Sequence, residues 1–483
     1  MRRGGSANLH CRAMNILIIG AGRVGESVAE SLVSERNDIT LVDTDPRRLA
    51  ALQDRLDLRG VAGNGIQPSV LREAGAQDCD MLIACAAADE TNLVACKVAR
   101  ELFQVPTTIA RLRSPEFEPG SPLLARGTGF GVDEVICPEA SVTRYLRKLI
   151  DYPEALQVLE FVGGLVSLIT VRAVRGGAMV QHSLAELPQL VPGADMRIVA
   201  LYRGNTSVPL EGSTRIAAGD EVFVLAATAH VRQVLGALRQ MDRPTRRLMI
   251  AGGGRVGLRL ARELEGSCEI KLIEVNAERC DYLATQLKGS TLVLNGDSTD
   301  EDLMEDENVR DMDLFAALTS DDEDNIMACL MAKRLGARRV LALINRRAYA
   351  DLVQGTQIDI AISPSHTVIG ELLAHIRRGD VEAVHSLRRG TAEALEIVAR
   401  GTARQSKVVG RRVEEIALPR GAQIGALVRG LGAADSGAHT APRVIMAHHD
   451  TVIETDDHVI VFLPHKRMVR EVERLFQVGA TFF

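Results

Sequence analysis

The sequence predicts an α/β protein with two Rossmann-like doubly wound parallel-sheet domains, each followed by a small mixed α/β module. Three observations predict it. An apolar strand runs into Gly-x-Gly-x-x-Gly twice, over residues 16–25 and again over 248–257. A second apolar strand then ends in a carboxylate, Asp43 in one copy and Glu274 in the other, 18 and 17 residues past the last glycine. The later motifs recur in the same order, so the chain reads as a duplication.

Each glycine of the motif answers a different need. Gly20 and Gly252 make the tight turn, Gly22 and Gly254 remove a side chain that would block a pyrophosphate, and Gly25 and Gly257 let helix and strand approach. The phosphates then meet the positive end of the helix. A carboxylate at Asp43 or Glu274 accepts hydrogen bonds from both ribose hydroxyls and repels a 2′-phosphate, which favours NAD(H) over NADP(H). The bland alternatives are a ligand-free glycine turn and a solvated strand-end acid.

The elements follow in order. Residues 1–13 have no apolar core and read as a disordered extension before Met14. From Asn15 the pattern is strand, glycine turn, amphipathic helix (Val28, Ala29, Leu32), strand, and helix (Leu49, Leu52). Residues 63–65 form a further turn, 81–87 a buried strand, and Asp89 to Asn92 a helix start with capping residues. Residues 108–113 and 135–138 complete the sheet. The repeat offset is 232 from Gly20 to Gly252, 231 from Asp43 to Glu274, and 233 from Asn92 to Asn325 and from Arg113 to Arg346.

Between the copies, period-two runs at 165–171, 198–202 and 221–225 separated by turn residues predict a small mixed α/β module rather than a linker. They echo at 424–429 and 457–462, with about eleven residues inserted near 430–443 as a surface loop. The expected divisions are 1–13, 14–140, 141–240, 246–365 and 366–483.

Composition narrows the function classes. A length of 483 residues implies three or four domains, and 25% charged with 46% apolar residues is ordinary for a globular protein. A net charge of −6, 3% aromatics and no Trp argue against a nucleic-acid binder. No apolar run reaches the ~18–20 residues of a membrane-spanning helix. Eight cysteines without a Cys-x-x-Cys pair suggest neither zinc nor disulfides, and fit a reducing cytoplasm.

The four-part arrangement resembles the TrkA family, peripheral nucleotide-binding subunits of bacterial Trk potassium-uptake systems. There each large part is an RCK N-domain and each small part an RCK C-domain. The marks are residues 19–25, Ala110-Arg-Leu-Arg-Ser-Pro-Glu-Phe117, Ile136-Cys-Pro-Glu139 and Leu343-Ile-Asn-Arg346. The resemblance implies diphosphate contacts at Gly20, Ala21, Gly22, Arg23 and Val24, a ribose contact at Asp43, and further contacts at Ala86, Ala87 and Arg111. In the second copy it implies Gly252, Gly253, Gly254, Arg255, Val256, Glu274, Thr319 and Ser320. Asn64 departs from the family's Asp, which the second copy keeps as Asp297.

It further implies NAD(H) at the first site, and NAD(H) or ATP/ADP at the second. The implied assembly is a tetrameric ring of eight RCK modules beneath a membrane-embedded TrkH/TrkG-type potassium-translocating subunit, on the inner face of the membrane. Arg111 or Arg113 could bridge to a phosphate, or be solvated.

Weaker features take bland readings. The acidic run 320–324 is a helix start rather than a cation site, His448, His449 and His458 are scattered residues on edge strands rather than a metal site, and Ser365-His366 caps a helix beginning at Thr367. Two rivals to a sensing subunit stand: an NAD-dependent dehydrogenase, and an assembly scaffold with a structural nucleotide. No His-carboxylate or Lys constellation in the small modules supplies the general acid or base a dehydrogenase needs.

Overall fold

The computed structural model describes residues 14–478 apart from 34–36, 115, 118–119, 205, 242, 347–348, 350–352, 354–357, 377–379, 388–390 and 432–440. The extension at 1–13 and most of the expected surface loop therefore lie outside the described residues. The chain falls into two compact units, one running to Ser141 and including Thr367–Ile369, the other holding the rest.

The first unit contains β1 (Asn15–Ile19), α1 (Arg23–Val33), β2 (Asp38–Asp43), α2 (Pro46–Gln53), β3 (Arg59–Ala62), α3 (Pro68–Glu73), β4 (Met81–Ala84), α4 (Asp89–Phe103), β5 (Thr107–Arg111) and β6 (Glu134–Ile136). The strands pair in the order β3-β2-β1-β4-β5-β6, all parallel. Ile16, Leu17, Ile18 and Ile19 are all buried, the reason β1 is an unbroken apolar run rather than an alternating one. Strand order reverses between β1 and β4, which opens a crevice at their carboxyl ends.

In the second unit a matching sheet, β14-β13-β12-β15-β16-β17, is again parallel. It is built from β12 (Arg247–Ala251), α8 (Arg255–Leu264), β13 (Glu269–Glu274), α9 (Ala277–Gln286), β14 (Thr291–Asn295), α10 (Glu301–Asp306), β15 (Leu314–Ala317), α11 (Asp322–Arg334), β16 (Val340–Leu343) and β17 (Ile360–Ile362). The sequence of α5 (Pro138–Asp151) places Val142, Leu146, Leu149 and Ile150 on one helical face. That face is buried in this second sheet's core, with Leu248, Leu260 and Leu264.

The first small module holds β7 (Ala155–Phe161), β8 (Val166–Arg172), α6 (Leu187–Leu190), β9 (Met196–Arg203), β10 (Thr206–Ser207), β11 (Glu221–Ala227) and α7 (Val231–Leu238). The second holds β18 (Val381–Leu387), β19 (Ala392–Val398), β20 (Gln423–Arg429), β21 (Arg443–Met446), β22 (His458–Leu463) and α13 (Val469–Phe476), and follows α12 (Pro364–Ile376). Both sheets are antiparallel, ordered β10-β9-β11-β8-β7 and β18-β19-β22-β20-β21. The repeat holds at atomic detail. Arg203 clasps Asp220 and Arg429 clasps Asp457, each with Nε donating over 2.8 Å.

The sheet of the first small module is covered on both faces. β8 is buried along Val166–Val171 on both faces. One face of the sheet packs on α7, with Ile169 and Val171 of β8 and Val222 and Val224 of β11 against Val234 and Leu235. The other meets the second module's sheet, where Leu168, Val199, Phe223 and Leu225 share a core with Ala394, Ala426, Ile460 and Phe462. Three expectations are corrected. His458 lies on β22, the middle strand, where its Nδ1 is 2.7 Å from Glu396 Oε1, so it belongs to no edge cluster. The helix expected from Thr367 begins at Pro364, so Ser365-His366 lie within its first turn rather than before it. Ala88 stands at the N-cap of α4 without a side-chain cap bond, so Asp89 and Asn92 are not the capping residues expected.

Candidate nucleotide sites

The two glycine loops have one geometry. Gly20 has φ +100° and Gly252 φ +104°, values that strain any residue with a Cβ. A Cβ on Gly20 would lie 2.9 Å from the Ala86 nitrogen, and one on Gly252 2.9 Å from that of Thr319. The third glycines are tighter still: a Cβ on Gly25 or Gly257 would sit 1.9 or 2.0 Å from the carbonyl oxygen of Gly20 or Gly252. At the middle glycines the space is open, with no atom within 4 Å of a Cβ on Gly22 or Gly254. Clearance there, with Arg23 and Arg255 opening α1 and α8, is the cradle a diphosphate requires.

The acids are already anchored to the loops. Asp43 Oδ2 accepts from the Ala21 amide at 2.6 Å and Oδ1 from Asp45 N at 2.8 Å. Glu274 repeats this with Gly253 N at 2.9 Å and Asn276 N at 3.0 Å. Each carboxylate oxygen keeps a lone pair for a ribose hydroxyl. Val24 and Val256 follow on the first helical turns, half-buried.

The far wall of each crevice is fixed by residues whose role the sequence reading missed. Asn92, fully buried, accepts from Ala86 N at 2.8 Å and donates to the oxygens of Ala86 and Arg111 at 3.1 and 2.7 Å. Asp89 Oδ2 accepts from the amides of Arg113 and Ser114, both at 2.9 Å. Asn325 and Asp322 do the same for Thr319, Leu343, Asn345 and Arg346. The signal was present, since Asp-Glu-x-Asn recurs with the repeat, but helix-start polar residues ordinarily cap their own helix. Here they reach across to the end of the neighbouring strand. Ala87 and Ser320 are exposed at the crevice rim.

These bonds also correct the register of the repeat. Arg113 stands opposite Asn345, not Arg346, because one residue is lost between helix and strand in the second copy. By the same register Arg111 is matched by Leu343, buried and apolar. Arg111 is the only one of the pair that brings a cation to its crevice. Its side chain is 11% exposed, its Nη2 is a loose 3.7 Å from Glu139, and its Nε is buried without a hydrogen-bond partner among the described residues. Burial, then Arg113, lowers its pKa, with Glu139 opposing. A guanidinium so placed suits an anionic ligand. Asn64 and Asp297 differ less than expected: each carboxamide or carboxylate oxygen accepts from the amide two residues on, closing the same local turn.

The residues present fit a dinucleotide diphosphate and ribose. The TrkA-N domain family matches residues 16–138 and 248–364, and the TrkA-C domain family matches residues 168–239. The chain is 51% identical over 470 residues to the Trk system potassium uptake protein TrkA of Halomonas elongata, covering 97% of this chain and all of that one. It is 48% identical over 469 residues to the TrkA of Vibrio alginolyticus, with the same coverage. A solved structure of the GsuK RCK domain superposes with a TM-score of 0.59 at 16% identity, covering 99% of this chain and 98% of that one. The GsuK channel bound to NAD gives 0.59 at 15%, over 96% of this chain and 79% of that one. At such identity the likeness is one of fold.

Proposed function

The chain belongs to the TrkA family of Trk system potassium uptake proteins, and from that premise we propose that it is the nucleotide-sensing regulatory subunit of a potassium uptake system. The observation that carries the reading is the pair of matching glycine loops in one chain, each with open space over its middle glycine and an anchored acid beside it. Two sites linked through small modules that share a core suit the coupling of ligands better than a single hydride transfer. Such coupling needs a nucleotide to favour one conformation over another, and about 1–3 kcal/mol shifts a partner's open population several-fold to about a hundredfold.

The finer points belong to the same proposal. Gly20 to Val24, Asp43, Ala86, Ala87 and Arg111 hold NAD(H), with Arg111 facing the phosphates. Gly252 to Val256, Glu274, Thr319 and Ser320 hold NAD(H) or an adenine nucleotide without such a cation. The chain divides at 1–13, 14–140, 141–240, 246–365 and 366–483, the chains form a tetrameric ring, and the partner is a TrkH/TrkG-type subunit at the inner face of the membrane. None of the described helices is long and apolar enough to cross a membrane. The protein performs no turnover: the polar residues at the strand ends, Asp89, Asn92, Asp322 and Asn325, are occupied in holding main chain.

Potassium flux into vesicles carrying the membrane partner tests this, with each nucleotide added and with Gly22→Asp or Gly254→Asp protein. Nucleotide-dependent flux that one substitution abolishes is expected. Flux indifferent to nucleotide, or hydride transfer by the protein alone, would overturn it.

A further inference from the structure

The two crevices differ beside the acid that meets the ribose. In the second, two side chains hold one residue of the glycine loop: Glu274 Oε2 accepts from the Gly253 amide at 2.9 Å, and Arg279 Nε donates to the Gly253 carbonyl oxygen, also at 2.9 Å. A carboxylate and a guanidinium thus converge on Gly253, and no ion pair joins them among the described residues. Arg279 stands partly exposed in the first turn of α9, with its guanidinium 4.7 Å over the Tyr282 ring. Held at Nε and stacked on that ring, it has no acceptor for Nη1 or Nη2 among the described residues. Its helix neighbours Glu278 and Asp281 are exposed and make no ion pair with it among those residues. The fork is fixed in place with its outer donors unused.

The first crevice lacks this arrangement, for two reasons written in the repeat. Arg48 holds the place of Arg279, but its Nε turns to Asp45 at 3.5 Å, the carboxylate that caps its own helix α2. The second copy has neutral Asn276 there, which caps α9 through the Arg279 amide at 2.9 Å and leaves the side chain free to reach the loop. Ala51 stands where Tyr282 does, so the first copy has no ring to steady an arginine.

Resting on the reading of both crevices as nucleotide sites, we propose that Arg279 admits a phosphate on the adenosine ribose, so that the second crevice takes NADP(H) as well as NAD(H) while the first takes NAD(H) alone. An acid such as Asp43 or Glu274 repels a 2′-phosphate when it stands unopposed. A guanidinium anchored on the same loop residue as Glu274 offsets that repulsion with a positive charge and two donors. The ribose hydroxyls of NAD(H) still find Glu274.

Calorimetric titration of NADH and NADPH into the full chain, with one glycine loop disabled at a time, tests this. In Gly254→Asp protein, where the first crevice alone binds, NADPH is expected at least about tenfold weaker than NADH; in Gly22→Asp protein the two should agree within about threefold. Adding Arg279→Gln to Gly22→Asp should weaken NADPH at least about tenfold and leave NADH within about threefold, with Arg279→Lys losing less because it keeps the charge. Arg48→Gln, the matched change in Gly254→Asp protein, should move neither nucleotide. Melting without ligand checks that each variant is folded. If the second crevice takes only mononucleotides, 2′-phosphorylated AMP against AMP carries the same comparison. NADH binding to Gly22→Asp protein with NADPH excluded overturns the inference and leaves the nucleotide reading standing. Arg279→Gln that spares NADPH, or weakens both dinucleotides alike, overturns it in the same way. Binding of no nucleotide by Gly22→Asp protein overturns both.

Discussion

Replacing Asn92 by alanine removes three buried hydrogen bonds at once, those to Ala86 N, Ala86 O and Arg111 O. No water replaces them easily, because the side chain is fully buried. At a net ~0.5–1.5 kcal/mol for each bond, the loss is about 2–4 kcal/mol. Its effect is local first. Ala86 is the residue that faces Gly20 across the crevice, so the floor of the first site loosens while β1 and β4 stay paired. Hydrogen exchange at the amides of residues 85–87 should then accelerate about thirty- to a thousandfold, the same free energy read as local opening. If binding must re-order this loop at the equivalent of one such bond, NADH affinity at the first site falls about two- to tenfold. Asn325→Ala should do the same to the second site alone. Unchanged exchange at residues 85–87, or equal damage to both sites by either variant, would refute the assignment of these asparagines as crevice fasteners.

The anchored carboxylate of Asp43 predicts tighter binding of NADH than of NADPH, and Asp43→Ala should narrow that preference in paired titrations; equal affinities in the wild type would show that the acid does not meet the ribose. His385 packs half-buried against the edge of Phe161, with its Nε2 2.9 Å from Glu160 O and with Glu160 and Glu396 nearby, and desolvation there lowers its pKa. The unfolded chain therefore binds the proton more readily, so the stabilisation is full above the unfolded value near ~6.5 and declines as pH falls from there towards the lowered folded value. Urea midpoints from pH 8 to 5.5 should show that acid limb, flattened in His385→Phe. A Cβ on Gly425 would stand 2.2 Å from Leu225 Cδ1 and 2.9 Å from Val199 Cγ1, so Gly425→Val should destabilise the second unit by about 1–3 kcal/mol or more, seen as an earlier thermal transition.

What the sequence made legible was whatever depends on local periodicity and fixed spacing. Gly20, Gly22, Gly25 and Asp43 declare themselves because backbone sterics allow little else at those positions. Asn92 and Asp89 were visible as residues but not as fasteners, since their partners lie about twenty residues on in a strand that only the folded sheet brings near. Leu343 was hidden for a related reason: a one-residue deletion between α11 and β16 shifts the repeat, so a constant offset carries Arg113 onto Arg346. The small modules misled in a different way. Alternation in residues 165–171 implies a wet face, yet the second face of β8 is covered by a sheet more than two hundred residues away in sequence. Periodicity reports that a strand has a preferred face, and cannot report what arrives later to cover the other.

The shared core of the two small modules bears on how the duplicated chain came to be one molecule. Positions that correspond by the repeat, Phe223 with Ile460, Leu225 with Phe462 and Ala200 with Ala426, all lie in that core, as they would in a dimer of identical halves related by a two-fold axis. A single-repeat ancestor would have carried this adhesive face on every copy. In the present chain the halves are no longer interchangeable. Val199 corresponds to Gly425, and it is the missing Cβ of Gly425 that admits Leu225. Two copies of the first half would set a valine where the glycine now yields, so each half has become a lock cut for the other rather than for itself. Such divergence disfavours exchange of halves between neighbouring chains, and lets the two nucleotide crevices, one with an arginine and one with a leucine, evolve apart without coming apart.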